Sequence, residues 1–385
     1  MRSVNKISSI RFPLTEAKLR GGSFNMKKRG IIAFLLVLCF AAVAFAALGP
    51  IKLSDQKPTF VYVGPVGDGG YNFMHDQGRK MMEKLNPGIK GSIVESVPEG
   101  PDAERVMETA IRNGSKVIYA NSFGYMDHVI NVAKKYPDVY FMHCSGYKTA
   151  PNVGTYFGRM YQARYLSGLV AGKATKSNLI GYVAAYPIPE VIRGINAFTL
   201  GVRKANPKAK VKVIWIFTWH DPAKEKEATK ALYDAKCDTV AMHADTGGAP
   251  QAAEELGMWV IGYNNPMDKY APTRHLVTPI WNWGKYYDYA TKKIEKGTWK
   301  SEQIWWSMKD GMVDLSKYGK PVTEDTKKLV AAEKKRIVDE KWDVFYGPIK
   351  GQDGKIAVAQ GKKLTDGEML SMSWFVEGVE GTIPK

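Results

Sequence analysis

The sequence has few cysteines and none of the common signatures of hydrolytic or nucleotide-cleaving enzymes. Only three cysteines occur in 385 residues, and no two of them form a C-x-x-C pair. A disulfide scaffold and a cysteine-built zinc site are therefore excluded. The motifs G-x-S-x-G, H-E-x-x-H and G-x-x-x-x-G-K-[ST] are also absent, which argues against serine hydrolase, zinc protease and P-loop chemistry. We expect no metal site, no cofactor and no catalytic residue.

The formal charge of +17 does not by itself indicate a nucleic-acid-binding protein. Residues 1–29 hold eight Lys and Arg against one Glu and so contribute +7 of this charge. The Lys-Lys pairs beyond this segment begin at positions 134, 292, 327, 334 and 362, with Asp or Glu nearby. Such dispersion is typical of solvated helix faces and turns, not of a basic stripe. We predict no nucleic-acid partner.

Residues 26–46 have the features of a secretory signal peptide. Three cations follow Met26, an apolar run begins at Ile31, and Ala44-Phe45-Ala46 has the small-x-small pattern that signal peptidase cuts. Residues 1–25 are then best explained as an upstream extension from a misassigned start. We predict export to the periplasm or another extracytoplasmic location.

Two alternatives to a cleaved signal are a membrane anchor and a lipid anchor. An anchor over residues 31–48 would have roughly the required length of 18 residues, but Gly49-Pro50 and a polar stretch follow without a basic flank. Cys39 follows Leu38 instead of a small residue, so lipidation at Cys39 is disfavoured. Cleavage is the favoured interpretation.

After residue 57, short β-branched runs alternate with amphipathic stretches, which is typical of βαβ units and parallel sheets. The pattern runs to about residue 150 and then restarts. The sequence therefore predicts an α/β fold with two doubly wound, Rossmann-like lobes joined by a hinge. We assign 58–150 with about 263–283 to the N-terminal lobe, and 151–262 with much of 284–385 to the C-terminal lobe. A hairpin is expected across 347–361, with its turn at Asp353-Gly354.

The segments that follow the predicted strands are rich in aromatic, amide and carboxylate side chains. Ligands of open α/β sheets bind beyond the carboxyl ends of the strands. Rings that stack on a flat heterocycle, with polar groups that contact its edge, would form a binding cleft for an uncharged aromatic molecule such as a nucleobase. The candidate ligand-binding residues are Tyr71, Asn72, Phe73, Phe123, Tyr125, Asp127, Trp219, Asp245, Asn264, Asn265, Asn282 and Trp283.

Other chemistry remains open but has less support. The glycine-rich loop at 64–71 and Glu95 partly match a dinucleotide site, although Asn72 stands where the third glycine is required. His75, His128 and His243 do not converge in sequence and fit surface or satisfied core positions. Neither Cys144 nor Cys237 has a sequence cue for a base that would activate it.

Several stretches resemble one known family. GDGGYNF (67–73), VAKKYPDV (132–139), YLSGLVAG (165–172), PIPEVIRGINAF (187–198) and WFVEGVEGTIP (374–384) are similar to the basic membrane protein family of ABC-transporter substrate-binding proteins, the purine nucleoside receptor-like group. The resemblance begins near residue 58 and implies the type I periplasmic binding protein fold. It also implies a non-enzymatic receptor that captures a small purine ligand and delivers it to an ABC permease in the cytoplasmic membrane.

The resemblance also implies roles for single residues. By position, Asn72 would bond the edge of the base, Tyr71 or Phe73 would stack on it, and Trp219 would supply the opposing ring. Asp127 and Asp245 are secondary candidates for polar contacts.

Two departures from the family pattern bear on the ligand. The family carries an aspartate where this chain has Tyr263-Asn264-Asn265, and a lysine where it has Trp281-Asn282-Trp283. Because those two residues hold the ribose hydroxyls in the family, we predict a free nucleobase, adenine or a close analogue. A purine nucleoside is the first alternative. An enzyme that uses a dinucleotide or a sugar is the second, and a receptor that presents its ligand to a membrane kinase is the third.

Overall fold

The computed structural model describes residues 48–384. The expected upstream extension, the signal peptide and Cys39 lie outside the described residues. Sixteen strands occur among residues 48–384: β1 (Thr59–Val61), β2 (Ser92–Val94), β3 (Val117–Ala120), β4 (Tyr140–Cys144), β5 (Val153–Gly158), β6 (Leu179–Ala184), β7 (Lys210–Trp215), β8 (Thr239–His243), β9 (Trp259–Ile261), β10 (His275–Val277), β11 (Pro279–Trp281), β12 (Gln303–Trp306), β13 (Val313–Leu315), β14 (Ile349–Lys350), β15 (Ile356–Val358) and β16 (Val379–Glu380).

Eleven α-helices accompany these strands in the same residues: α1 (Leu53–Gln56), α2 (Tyr71–Leu85), α3 (Pro101–Arg112), α4 (Met126–Lys135), α5 (Met160–Ala174), α6 (Pro189–Ala205), α7 (Pro222–Asp234), α8 (Gly248–Leu256), α9 (Trp283–Glu295), α10 (Glu324–Val338) and α11 (Asp366–Leu370). Short 3₁₀ turns at Val66–Asp68 and Phe123–Tyr125 precede α2 and α4.

Two six-stranded parallel sheets organise the fold. The first has the order β12-β5-β4-β3-β1-β2, and the second has the order β10-β9-β8-β6-β7-β16. Their central strands β3 and β8 are buried along their whole length, as strands covered by helices on both faces must be. The predicted α/β fold with two doubly wound lobes is confirmed.

The division of the chain between the lobes differs from the expected one. Residues 153–158, assigned to the C-terminal lobe, form β5 and pair with β4 in the first sheet. Residues 275–277, assigned to the N-terminal lobe, form β10 in the second sheet. Strand β12 then returns to the edge of the first sheet beside β5. The order of strands along the chain cannot reveal these exchanges, because edge pairing depends on contacts between distant segments.

The C-terminal part contains the expected hairpin. Strands β14 and β15 pair in antiparallel fashion, and Gly354 adopts a positive φ of 79° in the connecting turn, a conformation that glycine adopts without strain. Helices α9 and α10 also lie in the part of the chain that follows β11.

Helices α5 and α6 are packed in close contact in the core. A β-carbon at Gly168 would lie 2.1 Å from the carbonyl oxygen of Phe198, and one at Gly201 would lie 2.0 Å from that of Tyr165. Glycine at these positions allows the two backbones to approach each other. Much of the stretches 165–172 and 187–198 is therefore required by packing.

Candidate functional site

A cavity lies between the two lobes, at the carboxyl ends of strands from both sheets. Its volume for solvent-sized molecules is about 20 Å³, room for about one water molecule, so a larger ligand requires the lobes or the lining side chains to move. Five lining residues come from the first lobe and five from the second, and they are Val63, Tyr71, Ser122, Phe123, Ser145, Glu190, Trp219, His243, Asp245 and Tyr263. The position is the one at which open α/β sheets bind ligands.

Aromatic side chains from both lobes contribute to the cavity wall. Tyr71, the first residue of α2, donates its hydroxyl hydrogen to the carbonyl oxygen of Asn121 at 2.6 Å, which fixes the ring on the first lobe. Trp219 packs against Tyr186 on the second lobe, with ring centroids 5.1 Å apart. Phe123 adds a ring from the first lobe and Tyr263 one from the second. Both lobes therefore present aromatic rings that could contact a flat ligand.

The ring of Tyr263 is held by a buried arginine. The guanidinium carbon of Arg164 lies 3.6 Å from the Tyr263 ring centroid, and its Nη1 donates to the carbonyl oxygen of Met242 at 2.7 Å. This cation–π contact fixes Tyr263 from behind. Arg164 itself is not among the residues that line the cavity.

Glu190 and His243 form a hydrogen-bonded pair at the cavity wall. His243 Nε2 lies 3.2 Å from Glu190 Oε1. Burial lowers the pKa of His243 to about 4, so the ring is neutral at pH 7 and Nε2 carries the hydrogen that it donates to Glu190. The other carboxylate oxygen of Glu190 makes no hydrogen bond within residues 48–384. It can accept an N–H from a ligand.

Asp245 supplies a second carboxyl group to the cavity. The residue is 3% exposed, and its Oδ1 accepts a hydrogen bond from Asn264 Nδ2 at 3.2 Å. Burial raises the pKa of Asp245 well above its usual range, and the negative charge of Asp68 raises it further. Asp245 and Glu190 thus place two carboxyl groups with different surroundings around one small cavity.

Four of the twelve candidate residues line the cavity: Tyr71, Phe123, Trp219 and Asp245. Asn72, expected at the edge of the base, is fully buried and occupied by structural hydrogen bonds. Its Nδ2 donates to Asp68 Oδ2 at 2.8 Å, and its Oδ1 accepts from Asn121 Nδ2 at 2.9 Å. Both ends of the Asn72 amide therefore already have hydrogen-bond partners within the protein, and the amide is not available to a ligand.

Three further candidates from the first lobe lie elsewhere. The Phe73 ring has the Lys269 ammonium 5.8 Å from its centroid. Tyr125 is buried in the core and donates its hydroxyl hydrogen to the carbonyl oxygen of Val97 at 2.6 Å. Asp127 is exposed and forms an ion pair with Lys148. These side chains follow the predicted strands, but the helical turns that begin there direct them away from the cavity.

The remaining four candidates do not line the cavity. Asn264 contacts Asp245, as described above. Asn265 Nδ2 donates to the carbonyl oxygen of Gly69 at 3.0 Å, a hydrogen bond between the lobes. Asn282 Nδ2 donates to the carbonyl oxygen of Gly311 at 3.3 Å. Trp283 is fully buried in an aromatic cluster below the cavity.

The sequence did not indicate Glu190, Tyr263, Ser122 or Ser145 as ligand contacts, and His243 was expected in the core or on the surface. All five line the cavity. His243 ends β8, and Ser122, Ser145 and Tyr263 each lie within two residues of a strand end. The rule that ligands bind beyond strand ends could have found these four. Glu190 is in the first turn of α6, farther from its strand, and only the fold brings it to the cavity.

A second cavity adjoins the first and shares Phe123, Ser145 and Glu190 with it. Its volume is about 90 Å³, and both lobes line it, with Tyr147 and Gln303 from the first and Arg193 and Asp366 from the second. A larger open groove lies on the first lobe alone, between β2 and α3, and has no aromatic side chain in its lining. The interlobe cavity is therefore the candidate site.

Comparisons with known proteins agree with this architecture. The model of PnrA-like ABC transporter substrate-binding proteins (Bmp) matches residues 56–345. The chain is 41% identical to a purine-binding protein of Brucella abortus, over 90% of this chain and 100% of that protein. It is 37% identical to a putative ABC transporter glucose-binding protein of Haloferax volcanii, over 87% of this chain and 83% of that protein.

The fold is shared with solved solute-binding proteins. An ABC transporter solute-binding protein of Aeropyrum pernix has a TM-score of 0.65 at 18% identity, and the match covers 76% of this chain and 92% of that chain. The fold is thus that of a two-lobed type I periplasmic binding protein. The chain belongs to the PnrA-like (Bmp) family of ABC transporter substrate-binding proteins.

The family consists of solute-binding proteins of ABC importers, which act outside the cytoplasm. Within residues 48–384, no helix has the length and apolar character needed to cross a membrane. The same residues contain no group of three or more His, Cys, Asp or Glu side chains that could hold a metal ion.

Proposed function

We propose that this protein captures a purine nucleobase, adenine or a close analogue, in the interlobe cavity and delivers it unchanged to an ABC permease. The observation that carries the proposal is the content of the cavity wall: four aromatic rings from both lobes, with two carboxyl groups between them. Rings bind the faces of a flat heterocycle, and carboxyl groups bind its N–H edge. A purine base combines these two features in one small molecule.

The charges of the residues that line the cavity also favour a purine base. Among the ten described residues that line the cavity, none is Lys or Arg, whereas Glu190 and Asp245 are both acidic. A phosphate would meet no cation there, which disfavours nucleotides. A neutral base that donates hydrogen bonds meets acceptors instead. The relative named a purine-binding protein, at 41% identity, supports the same class of ligand.

A purine nucleoside is the second candidate, because the adjoining cavity offers room for a sugar beside Glu190. Gln303 and Arg193 could contact ribose hydroxyls there. The base is favoured because Trp219, Asp245 and Tyr263 line the small cavity but not the adjoining one. A sugar without a base is the third candidate, since one relative is named a putative glucose-binding protein.

The proposed mechanism is binding and release by lobe movement, without a chemical step. The ligand is enclosed when the lobes approach, as in hinge closure of binding proteins, and it leaves when a permease favours the open form. We also propose that the mature chain is exported and begins after Ala46. A catalytic function would instead convert the ligand, and product analysis after prolonged incubation would detect it.

The experiment that tests the function is isothermal titration of the purified mature chain with adenine, hypoxanthine, adenosine and glucose. Mass spectrometry of small molecules that copurify with the protein identifies the natural occupant. We expect adenine to bind more tightly than adenosine, and glucose not to bind. Equal or tighter binding of adenosine would transfer the proposal to nucleosides, and binding of glucose alone would refute it.

Replacement of Trp219 tests the location of the site. Trp219→Ala removes a ring from the cavity wall, and base stacking on aromatic side chains is worth ~1–3 kcal/mol. We expect adenine affinity to fall roughly 5- to 150-fold with little change in the free energy of unfolding. Trp259→Ala is the matched control, because Trp259 packs against Arg274 outside the cavity. Unchanged affinity in Trp219→Ala would place the base elsewhere.

A further inference from the structure

The hydrogen bonds around Asp245 determine which of its oxygen atoms faces which partner. The indole Nε1 of Trp281 can only donate, and it lies 2.8 Å from Asn264 Oδ1. The Asn264 amide is thereby oriented so that its NH₂ group points to the other side. Asn264 Nδ2 then donates to Asp245 Oδ1 at 3.2 Å and approaches the carbonyl oxygen of Ala244 at 3.4 Å.

The hydrogen bond from Asn264 makes the two oxygen atoms of Asp245 different from each other. Oδ1 is an acceptor, since Asn264 donates to it, and Oδ2 has no hydrogen-bond partner within residues 48–384. Any proton on this carboxyl group therefore lies on Oδ2. Asn264 and Trp281 are positioning residues here: they do not line the cavity, but they fix the carboxyl group that does.

The surroundings of Asp245 contain acids but no paired cation. Asp68 faces it from the first lobe, and Glu225 and Glu190 face it from α7 and α6. Neutral His243 ends the preceding strand. Within residues 48–384, no Lys or Arg lies within 4.0 Å of the Asp245 carboxyl group.

Two tyrosines complete the titratable groups around Asp245. Tyr71 faces it from α2 and Tyr263 from the segment after β9. Arg164 lies against the ring of Tyr263 and forms no ion pair with Asp245. Burial and the neighbouring negative charges raise the pKa of Asp245, because both disfavour the ionised form.

We propose that Asp245 contacts the ligand as a neutral carboxylic acid with its proton on Oδ2, and thereby selects a heterocycle that has an N–H donor beside a bare ring nitrogen. This inference rests on the proposed function, because it assumes that the ligand is a purine base. The acid donates from Oδ2 to the ring nitrogen, and Oδ1 uses its second lone pair to accept the N–H.

Adenine has the matching edge, an amino group next to an unprotonated ring nitrogen. An ionised carboxylate would offer two acceptors and no donor. It would match a pair of adjacent N–H donors, such as the N1–H and 2-amino group of guanine. The protonation state of a single buried carboxyl group thus distinguishes a 6-aminopurine from a guanine-type edge.

The test compares an isostere of the neutral acid with a truncation. In Asp245→Asn, the amide keeps an acceptor toward Asn264 and presents N–H donors in place of the Oδ2–H. We expect D245N to bind adenine within about threefold of the unmodified protein and D245A to bind at least about tenfold more weakly. If D245N binds as weakly as D245A, the negative charge is required and the proposal is overturned.

The pH dependence of adenine affinity provides a second measurement. The affinity should stay constant with rising pH, or fall by up to about tenfold per pH unit once Asp245 ionises, because binding requires its proton. D245N should show no fall. An adenine affinity that increases with pH in the unmodified protein, but not in D245N, would contradict the proposal.

Infrared spectroscopy detects the proton on the Asp245 carboxyl group in the absence of a ligand. A carboxylic-acid C=O stretch should be present at neutral pH and disappear in D245N. Glu225, whose pKa burial raises to about 7, would give a similar band, so both proteins carry Glu225→Gln as the matched background. Absence of a D245N-sensitive band would refute a neutral Asp245. Failure of the proposed function has a different result: the unmodified protein would then bind no purine base.

Discussion

At Gly70 the backbone of the first lobe lies close to that of the second lobe beside the site, and its replacement should prevent closure. Gly70 lies in the glycine-rich loop of the first lobe, directly before α2. A β-carbon there would lie 2.2 Å from the carbonyl oxygen of Asp245 and 2.8 Å from its carbonyl carbon, whereas ordinary contacts begin near 3.4 Å. Both atoms belong to the backbone of the second lobe, so no side chain can rotate to relieve the clash.

The size of the effect follows from that geometry. A methyl group more than about 1 Å too close to rigid backbone costs ~1–3 kcal/mol where the structure can shift. Here the available shift is separation of the lobes, which also strains the hydrogen bond from Asn265 to Gly69. The substitution therefore destabilises the closed form and leaves the open form unchanged. We expect Gly70→Ala to weaken adenine binding roughly 5- to 150-fold.

Titration calorimetry measures the affinity, and small-angle scattering with saturating adenine measures closure. The matched control is Gly67→Ala, in the same loop, where a β-carbon would meet no atom within 4 Å. Thermal unfolding of both variants shows whether the fold is retained. If Gly70→Ala binds adenine as tightly as Gly67→Ala and closes to the same dimensions, the closed arrangement described above is not the one that binds ligand.

Two further predictions concern stability. Trp283→Ala should lower the free energy of unfolding by ~3–5 kcal/mol, because the ring is fully buried and stacks 4.3 Å from His75 and 4.3 Å from Trp281. Urea unfolding measures this loss of stability. A variant with weaker adenine binding but unchanged stability would show that Trp283 contacts the ligand instead. Burial lowers the pKa of His143 from 6.5 to about 4, so the unfolded chain takes up a proton that the folded protein does not, and this residue removes stability as the pH falls from about 6.5 toward 4. In His143→Gln, the unfolding free energy should therefore decline less steeply over that interval, by about 1.4 kcal/mol per pH unit; identical slopes for both proteins would contradict this.

The alternation of short apolar runs and amphipathic stretches was sufficient to predict the two-lobed fold. Hydrophobic periodicity depends directly on local secondary structure, so strands and helices can be recognised from the sequence. The same reasoning pointed to the region of the candidate cavity, since the ends of parallel strands converge at one edge of a sheet. Tyr71, Phe123, Trp219 and Asp245 line the cavity for this reason. Assignment of β5 and β10 to their sheets failed, because it depends on pairing between distant segments.

The direction of single side chains could not be predicted either. Asn72 follows a strand end and sits beside two aromatic residues, as a ligand contact would, but Asp68 and Asn121 use both ends of its amide. Trp283 follows β11, yet α9 begins at this residue and turns the indole into the core. Glu190 reaches the cavity from the first turn of α6. In each case the deciding contact is tertiary, and the local sequence does not contain it.

In the proposed mechanism, closure and selectivity are coupled through the carboxyl groups of Glu190 and Asp245. When the lobes close around a molecule without N–H donors, each group loses water and gains no partner, at a cost of ~1–3 kcal/mol per group. A base that satisfies both groups avoids this cost, so the same contacts that identify the ligand also stabilise the closed form. A stacking molecule of the right size but without the N–H edge should therefore bind while leaving the lobes mostly open.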